Sequence, residues 1–196
     1  MVQTPSASRA EGRRAEILRR AASLFRRKGF HRAGMREIAA ELGIAPGALY
    51  YYFESKEDLL HACQTISLER LLRSARELAA SDAPPEEKVR RLVAAHLGHV
   101  LDELGGSFAH VEFHALPPPL LAEVVKGRDA YERIVRDVLA EGVRAGAFRA
   151  MDVKLAALSL LGALNWTVVW WRPEGRHALP QVAAEVADLF LRGVTA

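Results

Sequence analysis

Apolar positions along the chain recur every three or four residues, the spacing of one helix face, and no segment alternates as a strand would. Ile17, Ala21, Leu24 and Phe25 form one stripe of a first helix predicted over 9–28. Gly29 follows, where a left-handed capping glycine belongs. Met35, Ile38, Ala39 and Leu42 mark a short second helix over 35–42, closed by Gly43. A third begins at Pro46, a residue suited to a first helical position, and reaches about residue 53. Ser55 caps a fourth that extends to about residue 80, with Asp58 as its capping-box partner. The stretch "SDAPPEE" restarts the chain, and further helices are predicted over 86–104, 108–116, 120–145, 152–172 and 181–192. "PPP" at 117–119 ends the sixth, and "RPEGRHALP" reads as a loop. About nine helices and no internal repeat make the class all-α. The chain divides into an N-terminal three-helix head, 1–55, and a C-terminal helical body, 56–196. Residues 1–8 lack periodicity and are expected to fray.

With 196 residues, half of them hydrophobic and 26% charged, the chain is an ordinary globular one with enough apolar material for a core. The single cysteine, Cys63, rules out an internal disulfide and a Cys-based metal site. The amino terminus has no apolar run before its charges, so no signal peptide is read, and a cytoplasmic location is expected. The longest apolar tract, residues 155–171, carries Ser159, Asn165 and Thr167. We read it as a helix buried by protein rather than a membrane span. Charge changes the picture more. The first 36 residues hold ten Lys or Arg and two Glu, a charge of +8, while the remainder holds 17 basic and 22 acidic residues, a charge of −5. A basic head on a mildly acidic body points toward a polyanion at one end, or toward a solvated helix face.

Residues 35–53 contain two short helices joined by the tight turn "LGIAP", the pattern of a helix-turn-helix whose second helix enters the DNA major groove. Pro46, Gly47 and Ala48 are compact, so the start of that helix can approach base edges and phosphate closely. Ala48 suits a thymine methyl, and Arg36 is long enough for a guanine edge. Leu49 and Phe53 face inward, leaving Tyr50, Tyr51 and Tyr52 to fan around the remaining surface, with partial packing of one or two of them on neighbouring helices. Their hydroxyls can bond phosphate oxygens, and Lys56 adds a charge there.

The segment "MREIAAELGIAPGALYYYFESKEDLL" closely resembles the DNA-binding signature of the TetR/AcrR family of bacterial regulators, over roughly residues 10–62. The resemblance implies a homodimer with two DNA-binding heads on a pseudo-palindromic operator, and a carboxy-terminal body that takes an inducer. It places Arg36, Gly47, Ala48, Tyr50, Tyr51, Tyr52 and Lys56 at the DNA surface; Ala45 and Pro46, which open the same helix, complete the candidate set. Two departures stand out. Ala45 replaces a common Ser, and Gly34 replaces a Ser or Thr that often caps the second helix, each weakening capping by up to about 1 kcal/mol. The fourth helix, from Lys56, is the expected lever between inducer and head spacing.

The ending "LLGALNWTVVWWRPEGRHALPQVAAEVADLFLRGV" resembles the branch of that family that answers to acyl-CoA thioesters. It implies that the last two helices form a four-helix bundle with a partner subunit. The stripe Val182, Val186, Leu189 and Phe190 on the final helix fits such pairing. Candidate effector residues are the polar or aromatic ones on otherwise apolar helices: His96, His99, Phe108, His110, Phe113, His114, Asn165, Trp166 and Trp170. Each has simple packing as its alternative role. Arg172 beside Trp171 either holds a nucleotide phosphate with adenine on the indole, or caps its helix. No cofactor and no metal are implied. A metal-dependent helical enzyme, built on His96, His99, His110, Glu112 and His114, is a remote alternative because the spacing is irregular. A regulator of efflux responding to drugs or aromatic compounds is another. The pocket helices offer His and aromatics with only Glu112 as an obvious acid, which favours an anionic or neutral effector.

Overall fold

Left-handed glycines punctuate the first helices. Gly29 (φ 82°) follows α1 (Pro5–Lys28) and Gly43 (φ 65°) follows α2 (Met35–Glu41), conformations that any Cβ would strain. The computed structural model describes residues 5–101 and 112–195. After α3 (Pro46–Tyr50) come α4 (Lys56–Ala79), α5 (Pro85–Val100), a 3-10 turn at Phe113–Ala115, α6 (Pro118–Arg144), α7 (Val153–Trp170) and α8 (Leu179–Val194). The described residues contain no strand, only an antiparallel bridge between Phe148 and Thr195. The fold is all-α, as the periodicity predicts. Most of the predicted sixth helix, including Phe108 and His110, lies outside the described residues; its described end is the 3-10 turn.

The boundaries differ from expectation chiefly at prolines. Helices predicted to start after Pro85, Pro119 and Pro180 start at or before them. The first N–H groups of a helix have no intrahelical acceptor, so a proline there forfeits no bond. Likewise α1 begins at Pro5, inside the stretch expected to fray. At its other end α3 stops at Tyr50 rather than near residue 53. There Leu49 O accepts both the Tyr52 N–H (3.0 Å, three residues on) and the Phe53 N–H (3.1 Å, four residues on), so the last turn mixes 3-10 and α bonding.

Two compact units emerge. In the first, the described residues through Ile66 join 112–121; the second comprises Ser67–Leu101 and the chain from Ala122 onward. Within the first unit α1 packs on α2 and α2 on α3. Ile17, Leu24, Phe25, Ile38, Leu49 and Phe53 are among its buried apolar side chains, with the Phe25 and Phe30 rings 5.3 Å apart. Ser55 caps α4 as expected: its Oγ accepts the Asp58 N–H at 3.0 Å.

The core of the second unit is built from α5, α7 and α8, with α5 lying along α8, and α6 supplies Tyr131, Val135 and Leu139. A buried ammonium fastens it. Lys88 Nζ donates to both Glu141 carboxylate oxygens (2.8 and 3.0 Å) and to Ala79 O (3.1 Å), joining α5, α6 and the end of α4. The stripe predicted to pair α8 with another subunit is mostly spent inside this core. Val182 is buried, Val186 and Phe190 pack against it, and only Leu189 stands exposed. The apolar surplus sits on α7 instead. Ala157, Leu160, Leu161 and Leu164 face the core, while Leu155, Leu158, Trp166, Val169 and Trp170 form an exposed stripe on the opposite side.

Candidate nucleic-acid interface

The geometry of α2 and α3 sorts the candidate residues cleanly. Met35, Ile38 and Leu49 go inward, while Arg36, Ala45, Pro46, Gly47 and Ala48 are all exposed. Nothing lies within 4 Å of where a Cβ on Gly47 would be, so the start of α3 is open to an approaching surface. Tyr51 is 84% exposed and Tyr50 49%. Tyr52 is half-buried, with its ring edge-on to Tyr51 at 5.2 Å between centroids. Two phenols are therefore displayed, and the third props one of them.

Lys56 behaves differently from the expectation of a free phosphate-seeking charge. Its Nζ donates to Phe30 O (3.2 Å) and His31 O (3.5 Å) and lies 4.6 Å from the centre of the Phe30 ring. It locks the α1–α2 connection to the start of α4. The Arg14 guanidinium covers the Phe53 ring in the same manner, at 4.5 Å. Neither helix start carries the missing hydroxyl cap: Gly34 and Ala45 make no side-chain capping bond.

The described effector candidates fall in both units. Phe113 and His114 belong to the first unit and stack on one another, 3.8 Å between ring centroids. In the second unit His96 is buried and shares a 3.1 Å hydrogen bond between Nδ1 and Tyr131 Oη, and His99 Nε2 shares one of 2.9 Å with Ser74 Oγ. Asn165 is half-buried, with its Oδ1 shut away from solvent and without a hydrogen-bond partner. Trp166 and Trp170 belong to the exposed stripe of α7. Arg172, two residues past the end of α7, is exposed and donates through Nη1 to Trp171 O (2.8 Å).

Sequence reasoning predicted α6 but singled out none of its side chains. Tyr131 sits in register with the buried Val124, Val135 and Val138, and burial raises its phenol pKa well above the ordinary value. About one turn before it, burial lowers the Arg128 guanidinium pKa, and the next residue, Glu132, has its Oε1 enclosed without a hydrogen-bond partner. A tyrosine at a core register of an apolar stripe was the legible signal.

Compact residues opening an exposed helix, two displayed phenols and a helical body are the arrangement of a helix-turn-helix transcriptional regulator. Residues 17–63 match the family described as bacterial regulatory proteins, tetR family, and residues 82–194 match the tetracyclin repressor-like C-terminal domain. The chain belongs to the TetR family. It is 30% identical to the HTH-type transcriptional repressor KstR2 of Rhodococcus jostii, covering 93% of this chain and 91% of that protein. The crystal structure of the TetR family regulator PfmR from Thermus thermophilus superposes with a TM-score of 0.85 at 32% identity, over 90% of this chain and 97% of that one. AibR, solved with isovaleryl coenzyme A and operator DNA, shares the fold with a TM-score of 0.79 at 23% identity, over 93% and 98%.

Proposed function

We propose that the protein is a cytoplasmic homodimeric repressor that binds a pseudo-palindromic operator and is released by a CoA thioester with a small hydrophobic acyl or aryl group. Each head lays α3 in the major groove of one half-site, with Arg36 and Ala48 toward base edges and Tyr50 and Tyr51 toward phosphates. Ala45, Pro46 and Gly47 admit the backbone, and Tyr52 orients Tyr51. The observation that carries the reading is the pair of exposed surfaces: open α3 with its displayed tyrosines, and an α7 stripe whose Leu155 and Trp166 are each 63% exposed. A stripe that apolar calls for a second copy to cover it.

The effector reading is supported by polar groups enclosed in the apolar second unit. Tyr131 and His96 hold one another, while Asn165 Oδ1 and Glu132 Oε1 are shut from solvent without partners. Such groups fix the orientation of a ligand in a hydrophobic pocket. AibR's isovaleryl coenzyme A supplies the precedent for the ligand class. Release follows when the thioester favours a conformer whose heads are misplaced for two half-sites, with α4 as lever, and it can shift that equilibrium only by its differential affinity. The test is operator release, read by fluorescence anisotropy, across a panel of acyl- and aryl-CoA thioesters, free fatty acids and cationic drugs. Release by thioesters at micromolar concentration is the expected result. A panel in which only drugs act would replace this effector class with the efflux-regulator alternative.

A further inference from the structure

Apart from these surfaces, the second unit carries an open groove of about 640 Å³ between Arg76 of α4 and one face of α6. Lys126, Asp129 and Arg133 line it from α6, beside an apolar strip that includes Val125 and Ile134. The volume is that of a small-molecule site. Three cations surround one carboxylate, so the lining keeps a net positive charge. The Arg76, Lys126 and Arg133 side chains make no ion pair or hydrogen bond among the described residues.

An ordinary structural role explains only part of this. Arg76 lies in the last turn of α4, where a cation complements the helix dipole. Lys126 and Arg133 are in the interior of the long α6, seven residues and so about two turns apart on one face, where the dipole gives no such benefit. Keeping them aimed with Arg76 at one groove costs mutual repulsion that an anion would relieve. Guanidinium forks match phosphate oxygens in pairs. The apolar strip beside them favours a ligand with a flat, weakly polar part attached to its phosphates over inorganic phosphate alone.

We propose that this groove takes the phosphorylated nucleotide end of a CoA thioester, with Arg76 and Arg133 on phosphate oxygens, Lys126 adding charge and the Val125–Ile134 strip against the adenine. The assignment rests on the thioester reading of the effector, and it places the nucleotide here rather than at Arg172.

Calorimetry on the full-length protein tests it with CoA, dephospho-CoA and inorganic phosphate as probes. Wild type binds CoA about tenfold more tightly than dephospho-CoA, the worth of one charge-assisted phosphate contact, and binds inorganic phosphate far more weakly than either. The double variant Arg76→Ala/Arg133→Ala, which alters two exposed side chains, binds CoA at least about tenfold less tightly and loses the distinction between CoA and dephospho-CoA. Asp129→Asn strengthens CoA binding, an effect that a purely structural carboxylate would not produce. The proposal is overturned if wild type does not bind CoA, if the double variant binds it as wild type does, or if Arg172→Ala is the change that erases the distinction. The two readings fail separately. Thioesters that release operator equally from wild type and double variant would leave the effector class standing and remove the groove. CoA bound through Arg76 and Arg133 with no thioester releasing operator would do the reverse.

Discussion

Among the described residues, the large side chains left in water in the first unit are tyrosines, Tyr50 and Tyr51; in the second most lie on one helix, Leu155, Leu158, Trp166, Val169 and Trp170 of α7, with Val125 and Leu189 exposed elsewhere. Both sets cost solvation that folding did not recover, yet they differ in what they can meet. A phenol carries its own hydroxyl and is at home against a hydrated phosphate backbone. Leucine and valine have no such handle and gain only by excluding water against another apolar surface. Exposure alone therefore does not define an interface; the chemistry of the exposed atoms does.

The sharpest way to break this contrast is to charge the apolar surface. Leu155→Asp with Leu158→Asp is expected to turn a dimer into a monomer by analytical ultracentrifugation. Operator affinity then falls about 100-fold or more, because two linked half-site contacts become one. A charged variant that remains dimeric at full affinity would move the subunit interface elsewhere.

On the tyrosine side, Tyr51→Ala is expected to weaken operator binding about tenfold while leaving its salt dependence and the melting temperature unchanged, because a neutral phenol releases no counterion. Adding Lys56→Ala separates reading from scaffolding. Its ammonium is engaged with the Phe30 and His31 carbonyls, so the second change lowers stability by about 1–2 kcal/mol as well. Unaltered DNA affinity in the double variant would contradict the assigned face.

A smaller effect probes the enclosed polar groups. Burial raises the Tyr131 pKa above its ordinary value, so the folded state favours the neutral phenol. That contribution is complete below the unfolded value near pH 10 and is lost as pH rises toward the folded value. Thermal melts above about pH 10 should therefore fall more steeply for wild type than for Tyr131→Phe; parallel curves would contradict the buried assignment. Smallest of all, Gly34→Ser and Ala45→Ser restore hydroxyls at two uncapped helix starts. Ala45→Ser is expected to add about 0.5–1 kcal/mol of stability in denaturant titrations, and Gly34→Ser only about 0.2–0.4 kcal/mol, because glycine is itself a fair N-cap.

Much of the head was legible because its determinants are local. Gly29 and Gly43 stop helices through their own φ angles, Ser55 caps its own helix, and the alternation of inward Leu49 and Phe53 with displayed tyrosines follows from helical spacing. Proline was misread for the opposite reason: a residue that breaks helix interiors is welcome in a first turn, and which position it occupies is set by its neighbours. The body was harder. His96 and Asn165 could be singled out as polar residues on apolar helices, but Tyr131 as the partner of His96 required α6 to be laid against α5. Lys56 looked like a free charge until the fold placed two carbonyls and an aromatic ring beneath it.

The sequence by itself determined the all-α class, the helix-turn-helix and the family, since periodicity, caps and a local motif need only neighbours along the chain. Tertiary structure decided which apolar stripe was surplus and which was core. Both α7 and α8 read as apolar, and only packing against α5 consumes the α8 stripe while leaving one side of α7 bare. Burial is a property of what lies across from a residue, and the chain does not encode that in any single window.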